Sequence, residues 1–285
     1  MKQAYCAGEC MVELRVAGEG LLRQGFAGDS YNTAIYLKRS APDIAVHYVT
    51  ATGVDPLSQA MRAAWREEGV EDDLAFVADG RRPGLYMIEL DAKGERRFHY
   101  WRGESAAKRW LAELKSAGLG KLEGADLFYL SGISLAILSP TERHEALSLL
   151  DALRGKVGLI AFDPNYRPAL WGSRQEAAEM VHQAAARSDI FLPSSEDMEA
   201  LFGSGDGPDC SEIAMTSDGA RCQVNGDWVQ GELATKVVDT SGAGDSFNGA
   251  YLAARLQGKG AQEAARAGLA LAAKVVGQPG AVIPR

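Results

Sequence analysis

The stretch Asp239-Thr240-Ser241-Gly242-Ala243-Gly244-Asp245-Ser246-Phe247 decides the fold. Residues 236–238 before it predict a strand, its small residues predict a turn, and residues 243–256 predict a helix that follows directly. Gly242 and Gly244 leave backbone N–H groups uncovered where this helix begins. Unsatisfied donors and the positive end of the helix dipole favour an anion there. The stretch therefore predicts an anion site at a strand-to-helix turn.

Asp245 places a carboxyl group at the mouth of this turn. If the anion is a phosphoryl group in transfer, Asp245 can take the proton of the attacking hydroxyl while the amides stabilise charge on the phosphate oxygens. In the other interpretation, Asp245 only caps the helix. Two nucleotide motifs are excluded. A G-x-G-x-x-G fingerprint needs glycine where Phe247 stands, and a Walker A loop needs a lysine after the glycines.

Predicted strands and helices alternate along most of the chain, which favours a doubly wound α/β domain. The predicted strands are residues 47–52, 127–130, 159–162, 190–192 and 213–215, and the predicted helices include residues 29–38, 56–68, 173–187, 196–202, 243–256 and 261–276. Asn225-Gly226 predicts a tight hairpin. At Gly84 the pattern changes, because residues 85–90 and 96–101 alternate apolar and polar side chains around a turn at 91–94. This predicts a β-hairpin inserted into the series.

Composition excludes several classes of protein. The chain has 285 residues, 46% of them apolar, and a formal net charge of −8. The apolar fraction excludes a disordered chain, and the acidic excess argues against nucleic acid as a partner. No apolar run is long enough for a membrane span, and Glu9 interrupts the one place for a signal peptide, so we expect a soluble cytoplasmic protein. The four cysteines are too few and too irregular for a disulfide scaffold.

Residues 239–247 resemble the C-terminal signature of the ribokinase-like (PfkB) sugar kinases. Gly28-Asp29-Ser30-Tyr31-Asn32-Thr33-Ala34 is similar to the glycine-rich N-terminal segment of the same family. The resemblance covers nearly the whole chain. It implies a ribokinase-like doubly wound three-layer sandwich that forms a single domain over residues 1–285, with a small β-sheet lid from about residues 11–27 and 84–103. It also implies phosphoryl transfer from ATP, with Mg²⁺, to a sugar.

Four further segments are most similar to one branch of that family, the 2-keto-3-deoxygluconate kinases. They are Gly8-Glu9, residues 130–133, residues 162–168 with Leu170-Trp171, and residues 280–284. The resemblance implies phosphorylation of the terminal (6-) hydroxyl of this sugar acid. The alternatives are another PfkB sugar kinase such as a fructokinase, a nucleoside kinase, and a non-catalytic sugar-binding protein on the same fold.

The resemblance also implies a role for each matching residue. Asp245 is the expected general base, and the amides of Gly242, Ala243 and Gly244 are the expected anion hole. The expected substrate-binding residues are Gly28, Asp29, Asn32, Tyr86, Tyr100, Arg102, Ile133 and Arg167. The expected ATP-binding residues are Ser194, Thr216, Ser217, Gly219, Gly242 and Gly244, and Asp197 is expected to hold Mg²⁺ through water.

Arg102 and Arg167 suit an acidic sugar. A keto acid carries a carboxylate that a neutral sugar lacks, and the planar guanidinium group of arginine binds a carboxylate through two parallel hydrogen bonds. Each arginine also has a structural interpretation, Arg102 as a solvated lid residue and Arg167 as a residue that fixes its loop. The nucleotide side departs from the family pattern, because Ser194 replaces asparagine, Asp197 replaces glutamate and Thr216 replaces glycine.

The predicted lid hairpin has exposed edges. Because an uncovered strand edge tends to pair with another chain, we expect a homo-oligomer formed through the lid.

Overall fold

Two β-sheets organise the protein in the computed structural model, which describes residues 1–90, 96–205, 207–218 and 220–285. Gly219 and the predicted turn at residues 91–94 lie outside the described residues. The described strands are β1 (Gln3–Ala7), β2 (Met11–Gly18), β3 (Leu21–Ala27), β4 (Ala45–Thr52), β5 (Val70–Glu71), β6 (Ala75–Val77), β7 (Leu85–Leu90), β8 (Arg96–Trp101), β9 (Leu127–Ser131), β10 (Leu159–Asp163), β11 (Ile190–Phe191), β12 (Glu212–Ser217), β13 (Arg221–Val224) and β14 (Asp227–Gln230). The described helices are α1 (Asp29–Ser40), α2 (Pro56–Glu67), α3 (Trp110–Ala117), α4 (Gly132–Ala136), α5 (Pro140–Leu153), α6 (Arg174–Ala185), α7 (Ser195–Phe202), α8 (Ala243–Leu256) and α9 (Ala261–Val275).

The large sheet has the strand order β14-β13-β12-β11-β10-β9-β1-β4-β5, with β6 beside β4. Its strands are parallel from β5 to β12, and β13 and β14 complete it as an antiparallel hairpin. The predicted hairpin turn lies between these two strands, where Asn225 and Gly226 both have positive φ. The doubly wound α/β prediction is confirmed.

Helices cover both faces of the large sheet because its central strands are apolar on both sides. In β1, Ala4 and Cys6 belong to a core that also contains side chains of α1, α8 and α9. Their neighbours Tyr5 and Ala7 belong to a second core with side chains of α3, α5 and α6. The result is a three-layer sandwich, as expected. No helix in the described part of the chain combines the length and apolar character needed to cross a bilayer.

The small sheet has the order β3-β2-β7-β8, in which β2 and β7 are parallel. Met11, Ala27, Tyr86 and Ile88 form a separate buried cluster on one face of this sheet. The chain passes between the two sheets four times, namely between β1 and β2, between β3 and α1, before β7 and after β8.

The predicted strand at residues 236–238 is wrong. This segment is irregular, and the N–H groups of Val238 and Asp239 donate to the carbonyl of Val276 at the end of α9 rather than to a strand. Val237 is 63% exposed. Two adjacent valines favour a strand by propensity, but tertiary contacts override that preference here.

Candidate active site

The anion turn, residues 239–244, is held by one carboxylate and one glycine. The Asp239 carboxylate accepts the Ser241 N–H at 2.7 Å and the Gly280 N–H at 2.6 Å. Gly242 has φ of 73°, and a Cβ there would lie 2.4 Å from the carbonyl oxygen of Ala281. Because both the conformation and the space require glycine, the turn can approach the C-terminal segment only with this residue.

The C-terminal segment is itself fastened to α1. The Tyr36 hydroxyl donates to the carbonyl of Ala281 at 2.7 Å and accepts the N–H of Ile283 at 3.1 Å. The segment around residues 280–283 therefore supports the anion turn from behind. This contact gives a physical reason why the motif at residues 280–284 occurs together with the turn at residues 239–244.

Gly244 presents its backbone to open space. Apart from its chain neighbours and the nearby backbone of α8, no atom lies within 4 Å of the place where its Cβ would be, and the residue lines a cavity. The N–H of Ala243 donates to the Thr240 carbonyl over a long 3.3 Å. The backbone at the start of α8 is therefore accessible to a ligand, and the helix dipole adds positive potential at that point.

Asp245 lies in the first turn of α8, but it does not cap this helix. The N-cap is Gly242, and Asp245 Oδ2 instead accepts a 2.7 Å hydrogen bond from Asn32 Nδ2. The pKa of Asp245 is raised to about 7, first by burial and then by the charge of Asp29, against the lowering effects of the Asn32 hydrogen bond and of Arg167. A carboxyl group with a pKa near neutrality is suited to accept a proton from a hydroxyl.

Carboxyl and amide side chains connect α1, the loop after β10 and α8. Asn165 Nδ2 donates to Asp29 at 3.1 Å, while the Asn165 N–H donates to Asp163 at 2.8 Å. Asp163 also accepts from Asn248 Nδ2 at 2.7 Å. Burial raises the pKa of Asp163 well above its ordinary value, and the charges of Asp197, Asp29 and Asp245 raise it further. No role is predicted from the sequence for Asp163, Asn165 or Asn248, although Asp163 and Asn165 follow a predicted strand.

The start of α4, directly after β9, lies against the loop after β10. A Cβ on Gly132 would lie 2.0 Å from the Pro164 carbonyl oxygen, so glycine is required for this approach. The contact brings Ile133, which is partly buried, close to the loop that carries Arg167. Both segments follow the carboxyl ends of parallel strands, where α/β sheets bind ligands.

Three predicted substrate-binding residues meet on the small sheet. The ring centroids of Tyr86 and Tyr100 are 5.8 Å apart, and the guanidinium carbon of Arg102 lies 6.0 Å from the Tyr100 centroid. The Tyr86 hydroxyl donates to the buried carboxylate of Glu13. Sequence reasoning missed Glu13, and its signal was a charged residue in the otherwise apolar start of β2.

The two arginines have different surroundings. The Arg102 side chain is 13% exposed and forms an ion pair with Glu9, so it is not a solvated lid residue. Arg167 is exposed, and its Nη1 donates to the carbonyl of Tyr166 at 3.0 Å. Within the described residues no carboxylate forms an ion pair with Arg167. Its positive charge lowers the pKa of Asp245. Its guanidinium group can therefore accept an anion from outside.

A cavity of about 490 Å³ adjoins the anion turn. The predicted ATP-binding residues Ser194, Thr216 and Ser217 line it, together with Thr240, Ala243 and Gly244 at the end nearest the turn. Its walls are mainly apolar and include Leu233, Val237, Leu269, Ala272 and Val276. An apolar cleft that ends at a helix N-terminus fits a flat base at one end and phosphates at the other.

Asp197 uses its carboxylate within the protein. One oxygen accepts the Tyr166 N–H at 2.9 Å, and the other accepts the Ser194 hydroxyl at 2.9 Å in a capping box at the start of α7. Asp197 thus joins the loop of Arg167 to the wall of the cavity. Among the described residues no group of three or more histidine, cysteine or acidic side chains could hold a metal ion.

The fold and site belong to a class of enzyme that transfers phosphoryl groups to sugars. The profile of the pfkB family carbohydrate kinases matches residues 1–285, and the chain belongs to this family. The 2-dehydro-3-deoxygluconokinase of Escherichia coli (strain K12) is 42% identical over an alignment 306 residues long, which covers 100% of this chain and 98% of that protein. The enzyme of the same name from Dickeya dadantii (strain 3937) is 42% identical over 305 residues, or 99% and 97% of the two chains.

Solved structures show the same fold. The crystal structure of 2-dehydro-3-deoxygluconokinase from Thermotoga maritima has a TM-score of 0.85 at 23% identity, and the match covers 99% of this chain and 96% of that one. The ribokinase-like fold class is therefore confirmed.

Proposed function

We propose that the protein transfers the γ-phosphoryl group of ATP to the 6-hydroxyl of 2-keto-3-deoxygluconate, also called 2-dehydro-3-deoxygluconate, to give 2-keto-3-deoxy-6-phosphogluconate. The observation that carries this proposal is 42% identity along the full chain to kinases named for that substrate. The position of Asp245 beside the open start of α8 supports the phosphoryl transfer.

In the proposed reaction, Asp245 accepts the proton of the sugar hydroxyl as the hydroxyl oxygen forms its bond to the γ-phosphorus. The bond from that phosphorus to the bridging oxygen breaks, and ADP leaves with the electron pair. The backbone amides of Gly242, Ala243 and Gly244 stabilise charge on the phosphate oxygens. Most of the rate enhancement then comes from positioning and electrostatics.

The sugar acid lies between the two sheets in this proposal. Gly28, Asp29 and Asn32 contact its hydroxyls, and Ile133 packs against it. Tyr86, Tyr100 and Arg102 contact it from the small sheet, which acts as a lid. Arg167 binds the carboxylate, because an exposed guanidinium group without an acidic partner among the described residues can form a bidentate pair with a ligand.

We propose Mg²⁺ as the metal that accompanies ATP, with Asp197 holding it through water. Mg²⁺ keeps several waters and binds through substrate phosphates and one or two carboxylates, so a site with few protein ligands fits it. The Asp197 carboxylate already accepts three hydrogen bonds, which suits contact through water. When bound, the ion neutralises charge on the β- and γ-phosphates.

Two further features are part of the proposal. Val16, Leu22 and Trp101 are exposed apolar side chains that the strand register places on one face of the small sheet, so two lids can pair in a homodimer. A monomeric mass by light scattering at assay concentration would contradict this pairing. Because ATP is an intracellular nucleotide, we place the reaction in the cytoplasm.

The decisive experiment measures ATP consumption with a panel of sugars and sugar acids. We expect turnover to be highest with 2-keto-3-deoxygluconate and to fall about 10³-fold in Asp245→Asn, because this variant cannot accept the proton. Ser195→Ala, a change at the start of α7, is the control and should retain activity. The proposed reaction would be overturned if no member of the panel were phosphorylated, or if Asp245→Asn kept full activity.

A further inference from the structure

Glu9 lies where the four chain crossings between the two sheets meet. It follows β1 and begins the first crossing. At the second crossing, between β3 and α1, a Cβ on Gly28 would lie 2.1 Å from the Glu9 carbonyl oxygen. At the third crossing, before β7, a Cβ on Gly84 would lie 2.8 Å from Glu9 Oε1. At the fourth, Arg102 and Ser105 both donate to the Glu9 carboxylate.

The Glu9 carboxylate needs these partners because the residue is only 1% exposed. A buried carboxylate is costly unless it is paired and hydrogen-bonded. One oxygen accepts from Arg102 Nη2 and the other from the Ser105 hydroxyl. Gly84 makes room for the pair, since its Cβ would also lie 3.2 Å from Arg102 Cβ. The position of the Arg102 guanidinium group is therefore set by Glu9.

Arg102 keeps a donor that the protein does not use. Its Nε is buried and has no hydrogen-bond partner in the described part of the chain. A buried donor without an acceptor is unfavourable, and proteins seldom retain one without a reason. The guanidinium group lies beside Tyr100 on the small sheet, where a substrate could supply the missing acceptor.

We infer that Glu9 is a positioning residue for sugar-acid specificity: it holds Arg102 so that the unused Nε–H donates to the carboxylate of the substrate. This inference rests on the proposed function, because it needs an acidic sugar. Glu9 acts through Arg102 and does not touch the reacting atoms. Its charge restrains the long arginine side chain, so less conformational freedom is lost when the substrate binds.

The test compares Glu9→Gln with Ser105→Ala, which removes the other partner of the same carboxylate. We expect Glu9→Gln to raise the KM for 2-keto-3-deoxygluconate about 10-fold, while kcat and the KM for ATP change less than about twofold. Ser105→Ala should change all three values less than about threefold. In an Arg102→Ala background, Glu9→Gln should raise the KM no further, because coupled residues are not additive.

Two results would overturn the inference. One is an equal rise in the KM for ATP, which would show a general structural role, and the other is an additive effect of Glu9→Gln in the Arg102→Ala background. If Glu9→Gln does not fold, Arg102→Lys is the second test, since lysine keeps the charge but lacks Nε–H. It should raise the KM for the sugar acid about 10-fold, and an unchanged KM would contradict the inference.

The failure of this inference and that of the proposed function give different results. If the wild-type protein does not phosphorylate the sugar acid, the proposed function fails and the role of Glu9 fails with it. If the wild-type protein is active and Glu9→Gln has wild-type kinetics, only the role of Glu9 fails.

Discussion

The sugar side and the nucleotide side of the candidate site are built differently. On the sugar side, buried carboxyl and amide groups hold one another, as in the pairs Asn32 with Asp245 and Asn248 with Asp163. On the nucleotide side, a mainly apolar cavity opens to solvent, and its wall residue Leu233 is 76% exposed.

The difference shows where specificity resides. A polar network with fixed partners discriminates strongly, because a wrong substrate leaves buried groups unpaired. An apolar surface discriminates weakly, because one methylene group changes binding only modestly. We therefore expect the sugar side to tolerate substitution poorly. The nucleotide side can accept Ser194 and Thr216, which depart from the family pattern, with less consequence.

The largest effect expected from this comparison concerns Arg167. Arg167→Ala should lower kcat/KM for 2-keto-3-deoxygluconate about 100-fold, because the carboxylate loses a charged, bidentate partner. Turnover of a neutral sugar should change little. The matched control is Arg221→Ala, which removes an arginine from the nucleotide cavity. Steady-state kinetics with both substrates check this, and an equal loss with acidic and neutral sugars would refute the assigned role.

A smaller effect is expected in the pH dependence. The base must be deprotonated, and the pKa of Asp245 is about 7, so kcat/KM should fall as the pH drops through that value. Asp29→Asn removes a charge that raises this pKa and should move the acid limb to lower pH. Asn32→Ala removes a hydrogen bond that lowers it and should move the limb to higher pH. Each shift should be about 0.5 to 1 pH unit.

These two variants are controls for each other because both change α1, yet they shift the pKa of Asp245 in opposite directions. The measurement is kcat/KM between about pH 5 and 9, with saturating ATP. Shifts of the same sign in both variants would mean that the limb does not report on Asp245.

The smallest effect is expected on the nucleotide side. Val237→Ala removes part of an apolar wall that is already 63% exposed. We expect the KM for ATP to rise about two- to fivefold, with the KM for the sugar acid unchanged. A rise above about 50-fold would show that the nucleotide side is as tightly specified as the sugar side.

Local signals in the sequence predicted most of the fold. The hairpin at Asn225-Gly226 was predicted correctly because its turn depends on two adjacent residues. The strand predicted at residues 236–238 was wrong, because Val237 lines the cavity rather than a sheet. Propensity cannot distinguish these two environments.

The candidate site was predicted less completely because its contacts join distant residues. The sequence indicated Arg102 and the Gly8-Glu9 segment separately, but gave no sign that Arg102 and Glu9, 93 residues apart, form a pair. It indicated Asp197 as a metal contact but not its hydrogen bond to the N–H of Tyr166, 31 residues away. The interpretation of Asp245 as a helix cap was wrong, because its carboxylate accepts a hydrogen bond from a distant residue, Asn32.

The attachment of the C-terminal segment to Tyr36 bears on how the protein folds. This hydrogen bond joins residues 245 positions apart, and the bond between Asn32 and Asp245 spans 213 positions. Contacts between such distant residues form late because closing long loops has an entropic cost. A chain in which residues 280–283 have not yet packed against α1 therefore lacks the finished anion turn at the start of α8.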